Sequence, residues 1–259
     1  MNAFSQFLAK QRPGQLDLPL VHVTPLSRYR QIVVSGCLVP QPCPVMKREV
    51  IYCSYGDLVY RPSRKDTNWD LDPPVALLFS PLLLQNRYGF APMDTGAIAS
   101  GRVPWFPASA RATVAASYCI SDENGHLLSA WIRTLYGGND GYKHRSALGI
   151  PSNAPEEALI ARMLSISAAD RSTPDHTRDD MRVISQVECH FFEHIPLSRY
   201  LIAAFIPEGV GSTLWKDCMT DTMGNTASRY KGYSVNGNLP SELVALVRAK
   251  IQTGAIRVF

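Results

Sequence analysis

The chain has 259 residues, 46% of them apolar, and a formal net charge of +4. This length and composition can bury a full-sized core, which excludes a disordered chain, and the small charge does not require a nucleic-acid partner. No apolar run approaches the roughly 20 residues that cross a bilayer, so no membrane span or membrane partner is predicted. The mixed, polar N-terminus predicts no secretory signal and, by default, a cytoplasmic location.

Hydrophobic periodicity predicts a mixture of strands and helices along the chain. Thr24 is predicted to cap the first helix, with Pro25 at its first position and Gly36 at its end. The irregular order of the elements favours an α+β fold over a regular βαβ array. The predicted elements are a strand at 20–24, a helix at 25–35, strands near 49–54 and 75–80, helices at 126–137 and 155–166, strands at 182–192 and 200–207, a helix from about Ser241 to Gly254 and a terminal strand.

The cysteines do not form a recognisable disulfide or metal-binding pattern. There are six, without a C-x-x-C pair, which predicts buried free thiols. Cys189, His190 and His194 lie close together in the sequence, but a zinc site usually adds a second ligand pair with recognisable spacing. No metal is therefore predicted.

The segment 182–192 carries two different faces when it is written as a strand. Alternation places Gln186, Glu188 and His190 on one face, and Val187 and Cys189 on the other. One interpretation is an edge strand whose polar face is solvated, as antiparallel sheets commonly have. The alternative is a carboxylate held rigidly at a cleft, with Gln186 and Glu188 projecting in parallel.

Two further segments carry groups that suit ligand binding or turns. Glu49–Pro62 contains tyrosines and an arginine that could stack on a planar ring and bind a pyrophosphate, or could be ordinary strand residues: Tyr52, Tyr55, Tyr60 and Arg61. In 88–103, a single Asp-Thr-Gly triplet predicts a turn in which Asp94 bonds nearby backbone amides, rather than an aspartic-protease site.

These segments occur in the order of a known family. A strand His-x-Thr (His22 and Thr24), a middle tyrosine segment, SYGDLVYRP, and a late Gln-x-Glu resemble ADP-ribosyltransferases of the histidine-tyrosine-glutamate type. More locally, SYGDLVYRP, FAPMDTGAIASG and QVECHFFEHIPLSRYLIAAFIP resemble a poorly characterised bacterial group with YG-x-x-x-YR and DTGA segments. The resemblance implies one ADP-ribosyltransferase-like domain over 1–259, with split, mostly antiparallel sheets and flanking helices. Residues 1–18 would be an N-terminal extension, and 208–259 a C-terminal helix and strand.

The resemblance also implies roles for individual residues. NAD would be bound as substrate by His22 and Thr24 at the ribose, by Tyr55 or Tyr60 at the nicotinamide and by Arg61 at the pyrophosphate. Glu188 would stabilise the electron-poor ribose, and Gln186 would orient the acceptor. His22 and Glu188 are expected to converge in one cleft.

The activity implied is transfer of ADP-ribose from NAD to a macromolecular acceptor, protein or nucleic acid, as in bacterial toxins and defence effectors. A toxin would also have an antitoxin or immunity partner. Alternatives on the same fold are an NAD glycohydrolase and an RNA 2′-phosphotransferase. A non-enzymatic module that binds nucleotide or nucleic acid is a further alternative.

Overall fold

The computed structural model describes residues 2–58, 72–86, 88–103, 115, 117–169, 184–208, 227–230 and 241–252. The strands are β1 Leu20–Pro25, β2 Cys37–Leu38, β3 Gln41–Cys43, β4 Arg48–Tyr55, β5 Pro74–Phe79, β6 Tyr88–Ala91, β7 Ile120–Asp122, β8 Glu188–Phe191, β9 Ile195–Pro196, β10 Leu201–Pro207 and β11 Ala227–Tyr230. The α-helices are α1 Ala3–Ala9, α2 Leu26–Ser35, α3 Thr95–Ala99, α4 His126–Tyr136, α5 Asn139–Lys143, α6 Glu156–Ala169, α7 Leu197–Tyr200 and α8 Ser241–Gln252, with a 3₁₀ turn at Pro81–Gln85. No helix within these residues has the length and apolar character needed to cross a membrane.

The chain forms two compact units, and each draws on separate stretches of sequence. The first unit comprises Met1–Leu18, Gln41–Tyr52 and Leu84–Phe192, and the second comprises Pro19–Pro40, Cys53–Leu83 and Glu193–Phe259. The single domain inferred from the resemblance stays a prediction. The predicted fold class, a mixture of helices and mostly antiparallel strands, is confirmed.

The first unit is built on strands in the order β4-β8-β6-β7, to which β4 contributes residues 48–52, and β3 pairs antiparallel with this part of β4. Helix α4 contacts β7 of this sheet, and its apolar side chains, including Trp131 and Leu135, are fully buried. Buried Asp122 caps α4: its carboxylate accepts hydrogen bonds from the Leu127 and Leu128 amides and from the Tyr88 hydroxyl. The segment 1–18 contributes α1, whose Phe4 ring meets Trp131 edge to face at 5.2 Å.

The second unit is built on strands in the order β11-β10-β5-β1, and residues 53–55, the end of β4, pair antiparallel with β1. Strand β5 has neighbours on both sides, and all six of its residues are buried, which explains its continuous apolar sequence. Strand β10 pairs antiparallel with β5 and parallel with β11. The predicted strands at 20–24, 75–80 and 200–207 are confirmed within one residue at each end.

The start of α2 differs from its prediction. Its N-cap is Pro25, which has no side-chain cap, and Thr24 belongs to β1, so the predicted Thr24 cap is wrong. Asp72 supplies the missing acceptor instead, because its carboxylate receives the backbone N–H and the hydroxyl of Ser27 at 2.7 and 2.5 Å. The predicted stop is confirmed: Gly36 has φ +69°, the left-handed conformation that glycine adopts without strain.

Candidate functional site

Strand β8 carries the carboxylate that the sequence singled out. It lies between β4 and β6, so the edge-strand interpretation is wrong. Its predicted polar face is not solvated: the His190 side chain is fully buried and that of Glu188 is 16% exposed. The strand is also shorter than predicted, and buried Gln186 precedes it, so the predicted parallel projection of Gln186 and Glu188 from one strand is wrong.

Glu188 is held through one of its two carboxylate oxygens. The backbone N–H and the hydroxyl of Thr95 both donate to Oε2, at 3.0 and 2.7 Å. Nε2 of His190 lies 3.3 Å from the same oxygen. Within the described part of the chain, Oε1 has no hydrogen-bond partner. The carboxylate is thus fixed in orientation through Oε2.

The DTG turn explains how Thr95 reaches this position. Asp94 is the N-cap of α3, and its Oδ1 accepts the Ala97 N–H at 2.7 Å, which confirms the predicted Asp94 turn. Arg102 pairs with the other Asp94 oxygen at 3.1 Å, and the Asp94 N–H donates to the Ile184 carbonyl at 2.9 Å. The Asp94–Ile184 contact ties the N-cap of α3, next to Thr95, to the chain just before β8.

His190 connects Glu188 to a thiol. Its Nδ1 lies 3.1 Å from Sγ of Cys119 while its Nε2 faces Glu188. Burial by itself lowers the pKa of His190, but the hydrogen bonds and charges of Cys119 and Glu188 outweigh burial and raise it to about 9. His190 therefore stays in its doubly protonated, cationic form through the neutral range, in contact with Cys119 and Glu188.

Tyr52 is the tyrosine that accompanies this cluster. Its ring meets His190 edge to face at 4.9 Å, and its hydroxyl lies 2.7 Å from Sγ of Cys43. Burial, followed by the Cys43 hydrogen bond and the charge of Glu188, raises the pKa of Tyr52, so the hydroxyl remains protonated. The site therefore combines an anchored carboxylate, an imidazolium and a neutral phenol.

The remaining predicted ligand-binding residues lie elsewhere or are not described. His22 and Thr24 are in the second unit, where His22 is half-buried and Thr24 is 2% exposed. Their convergence with Glu188 stays a prediction. Tyr55 is in the second unit and fully buried, so its ring offers no exposed face, and its stacking role also stays a prediction. The Tyr60 and Arg61 predictions lie outside the described residues.

Sequence reasoning missed three members of the cluster as functional residues. Alternation had placed His190 on the face of Glu188, and this shared face was the available signal for it. Thr95 and Cys119 had no such signal, because they are 93 and 69 positions from Glu188. Among the described residues, no group of three or more His, Cys, Asp or Glu side chains could hold a metal ion.

Comparison with known proteins gives a structural likeness. No family model matches the chain, and no curated protein matches it. Among solved structures, the chain is similar to DarT of Thermus sp. 2.9 in complex with NAD+. The two are 8% identical, with a TM-score of 0.39, and the match covers 84% of this chain and 96% of that chain.

Proposed function

We propose that the chain is an ADP-ribosyltransferase that uses NAD as substrate and Glu188 as its catalytic carboxylate. The observation that carries this proposal is the anchoring of Glu188. Oε2 is held by Thr95 and His190, and Oε1 has no partner among the described residues. The sequence resemblance assigns the catalytic role to the same residue.

The chemistry needs a carboxylate of this kind. When the bond between ribose C1′ and the nicotinamide nitrogen breaks, both electrons leave with nicotinamide and the ribose becomes electron-poor. A preorganised carboxylate stabilises that developing positive charge without having to reorient. The acceptor then forms the new bond to C1′ and loses a proton. Because Oε2 is occupied by its donors, Oε1 is the oxygen that would face the ribose.

Burial of the site favours catalysis over simple binding. A module that only binds a nucleotide gains nothing from a carboxylate beside a pyrophosphate, since the two charges repel. Here the carboxylate is 16% exposed and held by three donors, so the fold stabilises it at this position. His22 and Thr24 remain the proposed ribose ligands, and a protein or nucleic acid remains the proposed acceptor.

The decisive experiment uses Glu188→Gln with Glu193→Gln as its matched control. Glutamine can place its carbonyl oxygen where Oε2 accepts the Thr95 bonds, so the variant keeps the anchor and removes the charge. Glu193 is exposed and five positions away, and receives the same chemical change. Nicotinamide release from NAD is expected to fall about 10²–10³-fold in Glu188→Gln and to stay unchanged in the control.

The products separate the alternatives when the parent protein is incubated with NAD and a mixed lysate. Nicotinamide together with ADP-ribose attached to a macromolecule supports the transferase. Nicotinamide with only free ADP-ribose indicates a glycohydrolase. Binding of NAD without nicotinamide release, or equal release by Glu188→Gln and the parent, overturns the proposed role of Glu188.

A further inference from the structure

Cys119 occupies a position that the proposed reaction does not explain. It precedes β7 and is partly exposed, and its Sγ lies 3.1 Å from Nδ1 of buried His190. Gly89 provides the space for the sulfur. A Cβ added to Gly89 would lie 3.1 Å from Sγ and 3.3 Å from Phe192 Cζ, which is tighter than most real Cβ contacts. Gly89 is also paired in register with His190 across β6 and β8.

The arrangement is that of an activated nucleophile. A thiol is in contact with one imidazole nitrogen, and a carboxylate orients the ring through the other, at 3.1 and 3.3 Å. We infer that Cys119 is a reactive thiol and a modification site for small soft electrophiles and small disulfides. This inference does not depend on the proposed transferase activity, because the reactivity belongs to the Cys119–His190 pair.

The reaction with a small disulfide balances without any further reagent. Sγ of Cys119 attacks one sulfur, a new S–S bond forms, and the old S–S bond breaks with its electron pair on the departing sulfur. In the reacting pair the proton of the Cys119 thiol has already passed to His190, and the imidazolium gives it to that leaving thiolate, so the products are a mixed disulfide and one free thiol. The raised pKa of His190 supports this reactivity, since a cationic imidazole beside a sulfur favours its nucleophilic form.

The other described cysteines provide comparisons within the same protein. Cys43 is also partly exposed, but it contacts the Tyr52 hydroxyl instead of an imidazole. Cys37 lies 3.9 Å from His194, a longer contact than that of Cys119. Cys53 and Cys189 are buried. The titratable groups facing His190 in the described structure are Cys119, Glu188 and Tyr52, with Cys43 behind Tyr52.

The test is pulsed alkylation of the full-length protein with iodoacetamide between pH 6 and pH 9, with each cysteine quantified by peptide mass spectrometry. An ordinary thiol slows about tenfold for each pH unit below about 8.5. Cys119 is expected to react about tenfold or more faster at pH 6 in the native protein than in denaturant, and faster than native Cys43. His190→Gln is expected to remove that excess and to leave Cys37 unchanged.

Alkylation of the buried Cys53 and Cys189 reports whether His190→Gln folds. If it does not fold, the pH dependence of Cys119 alkylation in the wild-type protein still tests the inference. If native Cys119 slows tenfold per pH unit as it does in denaturant, or does not react at all, the inference is wrong. The inference is also wrong if His190→Gln folds and its Cys119 reacts with iodoacetamide at the parent rate.

Discussion

Thr95→Val isolates the contact that orients Glu188. Valine keeps the β-branched shape and the backbone N–H of threonine, so the variant loses only the hydroxyl, which makes the shortest of the three contacts to Oε2 at 2.7 Å. Thr95 is 1% exposed, so bulk water cannot easily replace that donor. Hydrogen bonds to charged groups contribute about 1.5–3 kcal/mol, and two donors remain after the substitution.

The expected magnitude follows from this loss. We expect the free energy of unfolding to fall by about 1–2 kcal/mol, because the remaining donors partly compensate. If the same energy positions the carboxylate during catalysis, nicotinamide release should fall about 10-fold or more, since 1.4 kcal/mol corresponds to a factor of ten. Urea denaturation measures the first quantity, and single-turnover nicotinamide release from NAD measures the second.

Thr95→Ser is the matched control because serine restores the hydroxyl. It should recover most of the activity lost in Thr95→Val. A folded Thr95→Val that releases nicotinamide at the parent rate, with unchanged stability, would refute the anchoring role. Unchanged release with reduced stability would instead confine Thr95 to a structural role.

Three further predictions concern other parts of the chain. His22→Ala should weaken NAD binding by about 0.5–3 kcal/mol with little change in melting temperature, and calorimetry showing a destabilised protein with unchanged NAD affinity would contradict a ribose-binding role. Asp122→Ala should lower the free energy of unfolding by about 3 kcal/mol, because the cap of α4 and a buried tyrosine hydroxyl lose their acceptor, and an unchanged urea midpoint would contradict this. His190 has a folded-state pKa of about 9 against an ordinary 6.5, so its contribution to stability should be fully present below pH 6.5 and lost as pH rises through about 9. Urea unfolding at both pH values should show a loss of about 3 kcal/mol in the parent, and an equal loss in His190→Gln would exclude His190 as its source.

Local patterns in the sequence were enough to determine much of the secondary structure. Alternation and apolar runs located β1, β5 and β10, helical periodicity located α4 and α6, and glycines in the left-handed conformation end α2 and α4. These features depend on neighbouring residues, so the chain encodes them over a few positions. The Asp94 turn was predictable for the same reason, since the cap and the amide it binds are three residues apart.

Contacts between distant segments could be decided only by the tertiary structure. Strand periodicity assigned His190 to the face of Glu188 but could not indicate that β8 lies between β4 and β6, or that this face is buried rather than solvated. The Thr95 donors to Glu188 and the Cys119 thiol beside His190 lie 93 and 71 positions away along the chain. Asp72 likewise caps a helix whose own N-cap residue has no side-chain acceptor, from 45 positions along the chain. Such pairings depend on strand order and register, which are set by the packing of the whole sheet rather than by the pattern of any one segment.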